Sequence, residues 1–286
     1  MAPTLVIPSH SDELQVSIPH EHVLFLTLNR PKSLNAMTPR MTEDLERVLD
    51  WFEEEPELWV AIVTGAGRLF CAGADLKAWN KDQQAGSSDE QETIASNLNG
   101  FGSLSRRQSN KPIVAAVNGG AYGGGVEIVL NCDIVIASEG SKFALPEVKR
   151  GVVAAQGGIP RLFQIAGHQH ASEMLFTGRT IPAQEAADRF GFVNAVVPAP
   201  QLLSAALRVA REVASNSPDA VQSTKHGLLL SQRLSHSDSF MTHIRSNLSK
   251  RVYKGDNIKV QFIQMIYYAS THASLLIRRA SRRLRR

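Results

Sequence analysis

Short, near-continuously apolar runs alternate with stretches of helical periodicity over the first two thirds of the chain. VLFLTL at 23–28, VAIVT at 60–64 and IVAAV at 113–117 lack the polar alternation of a half-exposed strand. They predict strands buried on both faces, with helices above and below. Between the first two, Thr38 and Pro39 make a helix start, a cap followed by proline at the first helical position. Met41, Leu45, Val48, Leu49 and Phe52 recur three and four residues apart, so this helix runs to about Glu54 with one apolar stripe. Residues 1–20 read as a loose lead-in, 80–91 as a polar, exposed and mobile loop, and 92–109 as a further helix.

Past the third run, the pattern predicts short strands at 133–137, 142–145 and 193–197. Helices are expected from Gly157-Gly158-Ile159-Pro160 to about Gly167, and over 171–176, 183–190, 205–214, 218–232 and 236–251. His168 and His170 fall around Gly167 and read as surface loop residues. Strand–helix units followed mainly by helices make this an α/β chain.

The stretch from Lys111 to Gly158 carries the candidate chemistry. A buried strand is followed by Asn118-Gly119-Gly120, then by Gly123, Gly124 and Gly125, then by the apolar segment 126–130. Glycines at the mouth of a helix let the backbone approach a ligand closely, with N–H groups unpaired. Glu127 lies in the first turn of that helix. Glu147 lies at a second boundary, between Pro146 and Gly151. Each alone reads as a carboxylate favoured at a helix start or turn. Two carboxylates across a small cavity could instead hold a water, one taking a proton from it while the other gives a proton to carbon. Burial would raise at least one pKa into a useful range. Ala74 and Gly124 each follow a glycine near a strand-to-helix junction, and two N–H groups aimed at one oxygen would form an oxyanion hole. Spacing does not show that they converge.

Composition narrows the classes. Hydrophobic residues make up 43% and charged residues 20% of the 286, as in globular chains generally. The two cysteines form neither a disulfide framework nor a metal knuckle, which favours a reducing compartment. The net charge of +4 is local: six arginines lie beyond residue 259, and without them the chain sums to −2. That argues against a nucleic-acid-binding body. The histidines show no HExxH spacing, and the glycine run has neither GxxxxGK[ST] nor the strand–GxGxxG–helix order, so metal, phosphoryl-transfer and dinucleotide readings are set aside. No secretory signal or clean membrane span is expected from the sequence.

Several long motifs in fixed order resemble the crotonase, or enoyl-CoA hydratase/isomerase, family. They are LNRPKSLNAM at 28–37, VTGAGRLFCAGADL at 63–76, KPIVAAVNGGAYGGGVEIVLNCD at 111–133, KFALPEVKRGVVAAQGG at 142–158 and FTGRTIPAQEAADRFGFVNAVV at 176–197. The resemblance covers about residues 14–259. It implies an α/β fold of the ClpP/crotonase-like type, a spiral of β-β-α units with two perpendicular sheets and a C-terminal helical part. It also implies a core over 14–200 and a helical trimerisation region over 201–259, in a homotrimer or dimer of trimers. By resemblance, Glu127 and Glu147 match the catalytic pair, and Ala74 and Gly124 match the backbone donors to the thioester oxygen. Ala72, Asp75, Leu76, Gly123 and Gly125 match positions around the acyl-CoA. The implied reaction is hydration of a trans-2-enoyl-CoA without a metal or redox cofactor. A Δ3-Δ2-enoyl-CoA isomerase, another family dehydratase, or a silent CoA-ester-binding scaffold are the alternatives.

Two departures stand out. Ile159-Pro160-Arg161-Leu162 replaces the common Gln-Arg-Leu pattern, and the form PEVKRGVVAAQGG is nearer branches that include carnitinyl-CoA dehydratase-like and uncharacterised hydratase-like proteins, which leaves the acyl group open. After Lys259 the family pattern gives way to the basic stretch 260–286, expected to be a gene-model artefact or disordered. Its last residues are not a Ser-Lys-Leu-type peroxisomal address, and cytoplasm, peroxisome and mitochondrial matrix all stay open.

Overall fold

The computed structural model describes residues 5–75 and 90–254. The apolar runs form the middle of a six-stranded sheet ordered β1-β2-β3-β4-β6-β9: β1 (Leu14–His20), β2 (Val23–Leu28), β3 (Val60–Gly65), β4 (Ile113–Val117), β6 (Ile134–Ser138) and β9 (Ala195–Val197). From β2 to β9 the neighbours are parallel, with Val23 opposite Val60, Ala61 opposite Ile113 and Val114 opposite Ile134. Alternate side chains serve two cores. Ala61, Val63, Ala115 and Val117 pack with helix α1 (Pro39–Glu54) on one face. Val60, Ile62, Val114 and Ala116 pack with Leu202, Ala205, Ala206 and Ala210 on the other. These last residues belong to α6 (Leu202–Ala214). Burial on both faces explains why these strands lack polar alternation.

Helix α1 begins as its cap sequence predicts. Thr38 Oγ1 accepts the Met41 N–H at 3.0 Å, and the apolar stripe is buried. The same face takes in Asp44, which accepts hydrogen bonds from the Ser11 N–H and hydroxyl.

The lead-in is structured, against expectation. Leu14, Val16 and Ile18 alternate with polar residues, and this segment is β1, an antiparallel edge strand with Leu14 opposite Leu28. The helix expected over 92–109 is shorter: α2 covers Glu90–Ser96. The chain then turns through Gly100, Gly102 and Ser103, all at positive φ, and Asn97 bonds both backbone groups of Gly100. The loop expected over 80–91 falls largely outside the described residues.

A second sheet of three strands, ordered β5-β7-β8, is made by β5 (Gly120–Tyr122), β7 (Lys142–Ala144) and β8 (Ile181–Pro182). Strand β5 lies in the stretch that reads as a tight turn. Between β5 and β6 runs α3 (Gly124–Asn131). Helix α4 (Gly158–Thr177) is broken at Gly167, whose φ is 76°. His168 and His170 therefore lie in the second limb of that helix rather than in a loop, and His168 is exposed. Helix α5 covers Ala183–Asp188.

The chain divides into two units, after Asn216 rather than at residue 200, because α6 is part of the sheet's second core. The second unit contains α7 (Pro218–Ser231), α8 (His236–Arg245) and α9 (Asn247–Lys254). Within it, Ser231 meets Ser239, and Arg251 pairs with Asp219 at 2.7 Å. No helix of the described residues is long and apolar enough to cross a membrane. The tail 260–286 lies outside the described residues.

Candidate active site

The link that follows β3 brings residues 71–75 against the end of β5. Cys71 bridges Ala121, and Met37 bridges Ala74 in parallel register. The Met37 N–H donates to Gly73 O, and Met37 O accepts the Asp75 N–H. In that pattern the flanking residues make the bonds, so Ala74's own N–H faces the opposite edge. Gly73 sits at φ 93°. A β-carbon there would lie 2.9 Å from the Tyr122 carbonyl oxygen and 3.7 Å from the Gly124 nitrogen. Only glycine permits both that dihedral and that approach. Gly124 opens α3, where the first N–H groups have no intrahelical acceptor. The two backbone segments that spacing could not bring together therefore meet.

This link is braced from behind by a residue that reads in sequence as plain connector. Asn35 is fully buried at φ 54°. Its side chain donates to Ala66 O at 2.8 Å and Leu69 O at 2.6 Å, and accepts the Arg30 N–H at 2.8 Å. Arg30 in turn pairs with Asp75 at 3.1 Å and reaches Ala36 O. Asn tolerates the left-handed region better than other non-glycine residues, which was the available signal.

Glu127 stands on the first turn of α3 and is 3% exposed. Its Oε1 accepts the N–H groups of Gln156 and Gly158, each at 2.9 Å. The carboxylate thus sits against the N-terminus of α4, and Arg161 of α4 also donates to Asn131 of α3. A β-carbon on Gly158 would come within 3.0 Å of Glu127 Cγ. Burial pushes the Glu127 carboxyl up to about 7; the backbone donors oppose this, and the charge of Glu147 adds to it.

Glu147 begins a 3-10 turn, Glu147–Arg150, at the end of β7. Its Oε1 lies 3.0 Å from where a Gly123 β-carbon would be. Its Oε2 is buried and has no hydrogen-bond partner among the described residues. Burial raises its pKa too, opposed by the positive charge of Arg150.

Both carboxylates line one cavity of about 450 Å³ together with Ala72, Gly73, Ala74, Gly123 and Gly124. Six of the sequence candidates therefore come together: Ala72, Ala74, Gly123, Gly124, Glu127 and Glu147. Asp75 is turned to Arg30, and Gly125 packs where a β-carbon would meet Cys71 O at 2.7 Å. Neither lines the cavity among the described residues. Leu76 lies outside the described residues. Sequence reading missed Phe101, Tyr122, Arg150, Val152, Val153 and Gln156, which complete the wall with Ile94. A polar Gln156 bracketed by small residues in AAQGG was the visible hint; the other wall residues are placed by turns that have no local pattern. Cys71 is fully buried and its thiol is pushed up to about 12, which makes it an inert core group. Among the described residues no group of three or more His, Cys, Asp or Glu could hold a metal.

A family model described as enoyl-CoA hydratase/isomerase matches residues 19–268, past Lys259, where the motifs break off. The mevalonyl-coenzyme A hydratase of Aspergillus fumigatus is 46% identical over 74% of this chain and 77% of its own length. The 2,3-dehydroadipyl-CoA hydratase of Escherichia coli is 38% identical over 75% of this chain and 81% of its own. Among solved structures, an enoyl-CoA hydratase from Mycobacterium tuberculosis superposes with a TM-score of 0.80 and 32% identity, covering 90% of this chain and 97% of that one. With its two sheets and helical C-terminal part the fold is crotonase-like, and the chain belongs to the enoyl-CoA hydratase/isomerase family as a CoA-thioester hydratase, a hydro-lyase.

Proposed function

We propose that this enzyme adds water reversibly across the 2,3 double bond of a trans-2-enoyl-CoA, with Glu127 and Glu147 as the proton-transfer pair. The observation that carries the reading is the shared cavity: the buried Glu127 and half-buried Glu147, both with raised pKa values, beside a turn where Ala74 and Gly124 present backbone donors. The thioester oxygen sits at the Ala74 and Gly124 N–H groups, which stabilise the enolate as charge develops. Glu127, whose anion is stabilised by two backbone donors, takes a proton from water as its oxygen bonds to C3. Glu147, against Gly123 and with an unpaired buried oxygen, gives its proton to C2. The π electrons pass through the enolate to the new C2–H bond, and proton exchange between the carboxyls and solvent restores the pair. No step calls for a metal or redox cofactor.

The acyl group we assign to the short, branched, hydroxylated class, on the similarity to the mevalonyl-coenzyme A hydratases of A. fumigatus and of Beauveria bassiana, the latter 45% identical. A homotrimer or dimer of trimers is the proposed assembly. Exposed Phe163, Ile165 and Phe176 on α4 supply apolar surface for it, and sedimentation velocity tests it.

The deciding assay follows loss of the enoyl-thioester ultraviolet band when enzyme meets crotonyl-CoA or 5-hydroxy-3-methylpent-2-enoyl-CoA. Loss of the band with the matching 3-hydroxyacyl-CoA formed is the expected result. Tight binding of both esters with no loss of the band would overturn the reading in favour of a silent scaffold.

A further inference from the structure

We propose that the side-chain amide of Gln156 reads a hydroxyl on the acyl chain and so sets the substrate preference; this rests on the hydratase reading above. Gln156 lines the cavity that holds Glu127 and Glu147. Its backbone is clamped on both sides. The N–H donates to Glu127 Oε1 at 2.9 Å, and its carbonyl accepts from Ser105 Oγ at 2.6 Å. Ser105 Oγ also accepts the Phe101 N–H at 2.8 Å, which ties the clamp to another wall residue. The side chain therefore starts from a fixed point beside the Glu127 carboxylate.

At its end, Oε1 is buried and has no hydrogen-bond partner among the described residues. A buried polar atom left unpaired costs stability unless something completes it. Of the residues that share its wall, Phe101, Val152, Val153 and Ala155 are apolar, and the polar Tyr122 and Arg150 make no hydrogen bond to it. A hydroxyl on the acyl chain is the fitting complement. It can both donate and accept, so it pairs with an amide in either orientation. A carboxylate would be suited to only one of them. A methylene in the same place would leave the amide unpaired, and sites built to bond a hydroxyl discriminate strongly against an analogue lacking it.

The test uses a matched pair, 5-hydroxy-3-methylpent-2-enoyl-CoA and 3-methylpent-2-enoyl-CoA, which differ only in the hydroxyl. The full-length enzyme is expected to show kcat/KM about tenfold or more higher for the hydroxylated ester, the scale set by one unsatisfied buried group. Gln156→Leu and, as a second apolar variant, Gln156→Met should bring that ratio to about one. A wild-type ratio near one, or a ratio that survives in both variants, would overturn the proposal, and equal losses on both esters would assign the side chain to the scaffold. Crotonyl-CoA separates the levels. Hydration of crotonyl-CoA with no hydroxyl preference sinks only the role of Gln156, whereas no hydration of any of the three esters sinks the hydratase reading as well.

Discussion

At the residue scale the two glutamates differ in their surroundings as well as in their exposure, Glu127 being buried and Glu147 half-buried. Glu127 is anchored by two N–H groups from the start of α4, while Glu147 keeps an unpaired oxygen. Glu127→Gln and Glu147→Gln should each cut kcat by about a hundredfold or more. Each removes a proton transfer and leaves shape intact, so KM should move only a few-fold. Full activity of the Glu127→Gln protein would remove this residue from hydration and shift the reaction towards isomerisation. Because Glu127 must be ionised to act as base and Glu147 protonated to act as acid, kcat/KM should be bell-shaped in pH, with the Glu127 limb at about 7. A rate flat across that range would argue against its role. Asn35 makes its case through structure alone. Asn35→Ala leaves the Arg30 N–H and the Ala66 and Leu69 carbonyls without their shared partner. The expected cost is at least about 2 kcal/mol, read by urea unfolding.

At the element scale, the C-terminal end of α1 is held from outside the helix. Lys111, 4% exposed, donates from Nζ to Phe52 O and Glu55 O at 2.6 Å each. It satisfies carbonyls that a helix end leaves open, with a positive charge at the favourable pole. Burial pulls its pKa down to about 8, opposed by Glu53 and Glu55. Lys111→Met should destabilise the protein by about 1–3 kcal/mol. A denaturation midpoint unchanged from wild type would show that water replaces the ammonium at no cost. Helix α4 and helix α3 meet at the Glu127 carboxylate, so on the proposed mechanism small changes there should separate activity from stability. Gly158→Ala would press a methyl against Glu127 Cγ at 3.0 Å and Ala154 Cβ at 3.3 Å. Activity should fall more steeply than thermal stability, since the crowding displaces a catalytic side chain.

For the whole molecule, the raised pKa of Glu127 links folding to pH. Its folded value of about 7 lies above the ordinary value of 4.5. The folded state therefore holds the proton more tightly than the unfolded chain. The contribution is fully present below pH 4.5 and is lost as pH rises through about 7. The loss amounts to about 3 kcal/mol at pH 8, converting the gap between those values. Glu127→Gln should flatten that part of the stability–pH curve, in urea titrations between pH 5 and pH 8. An unchanged slope in the variant would mean that other groups dominate. The enzyme's own acid/base pair thus lies in tension with its stability, as is common where activity needs a charge in a dry site.

Apolar runs and cap chemistry by themselves determined the strands at 23–28 and 113–117 and the helix at 39–54, because burial on both faces and a Thr-Pro start are local facts. The motifs identified the family and picked out Glu127 and Glu147. What only the tertiary structure decided is where those parts meet. The edge strand at Leu14–His20 needed a partner, β2, to make a weak alternation into a strand. The turns after Ser96 followed from left-handed residues and an Asn97 side chain rather than from periodicity. Ala74 and Gly124 are 50 residues apart in the chain, and their approach depends on two isolated bridges and a glycine at positive φ. Gln156 became chemically visible only once Glu127 and Ser105 had fixed its backbone and left its amide oxygen unpaired. Hydrophobic period and caps act between near neighbours along the chain, whereas an active site is made of backbone groups whose direction is set by distant partners.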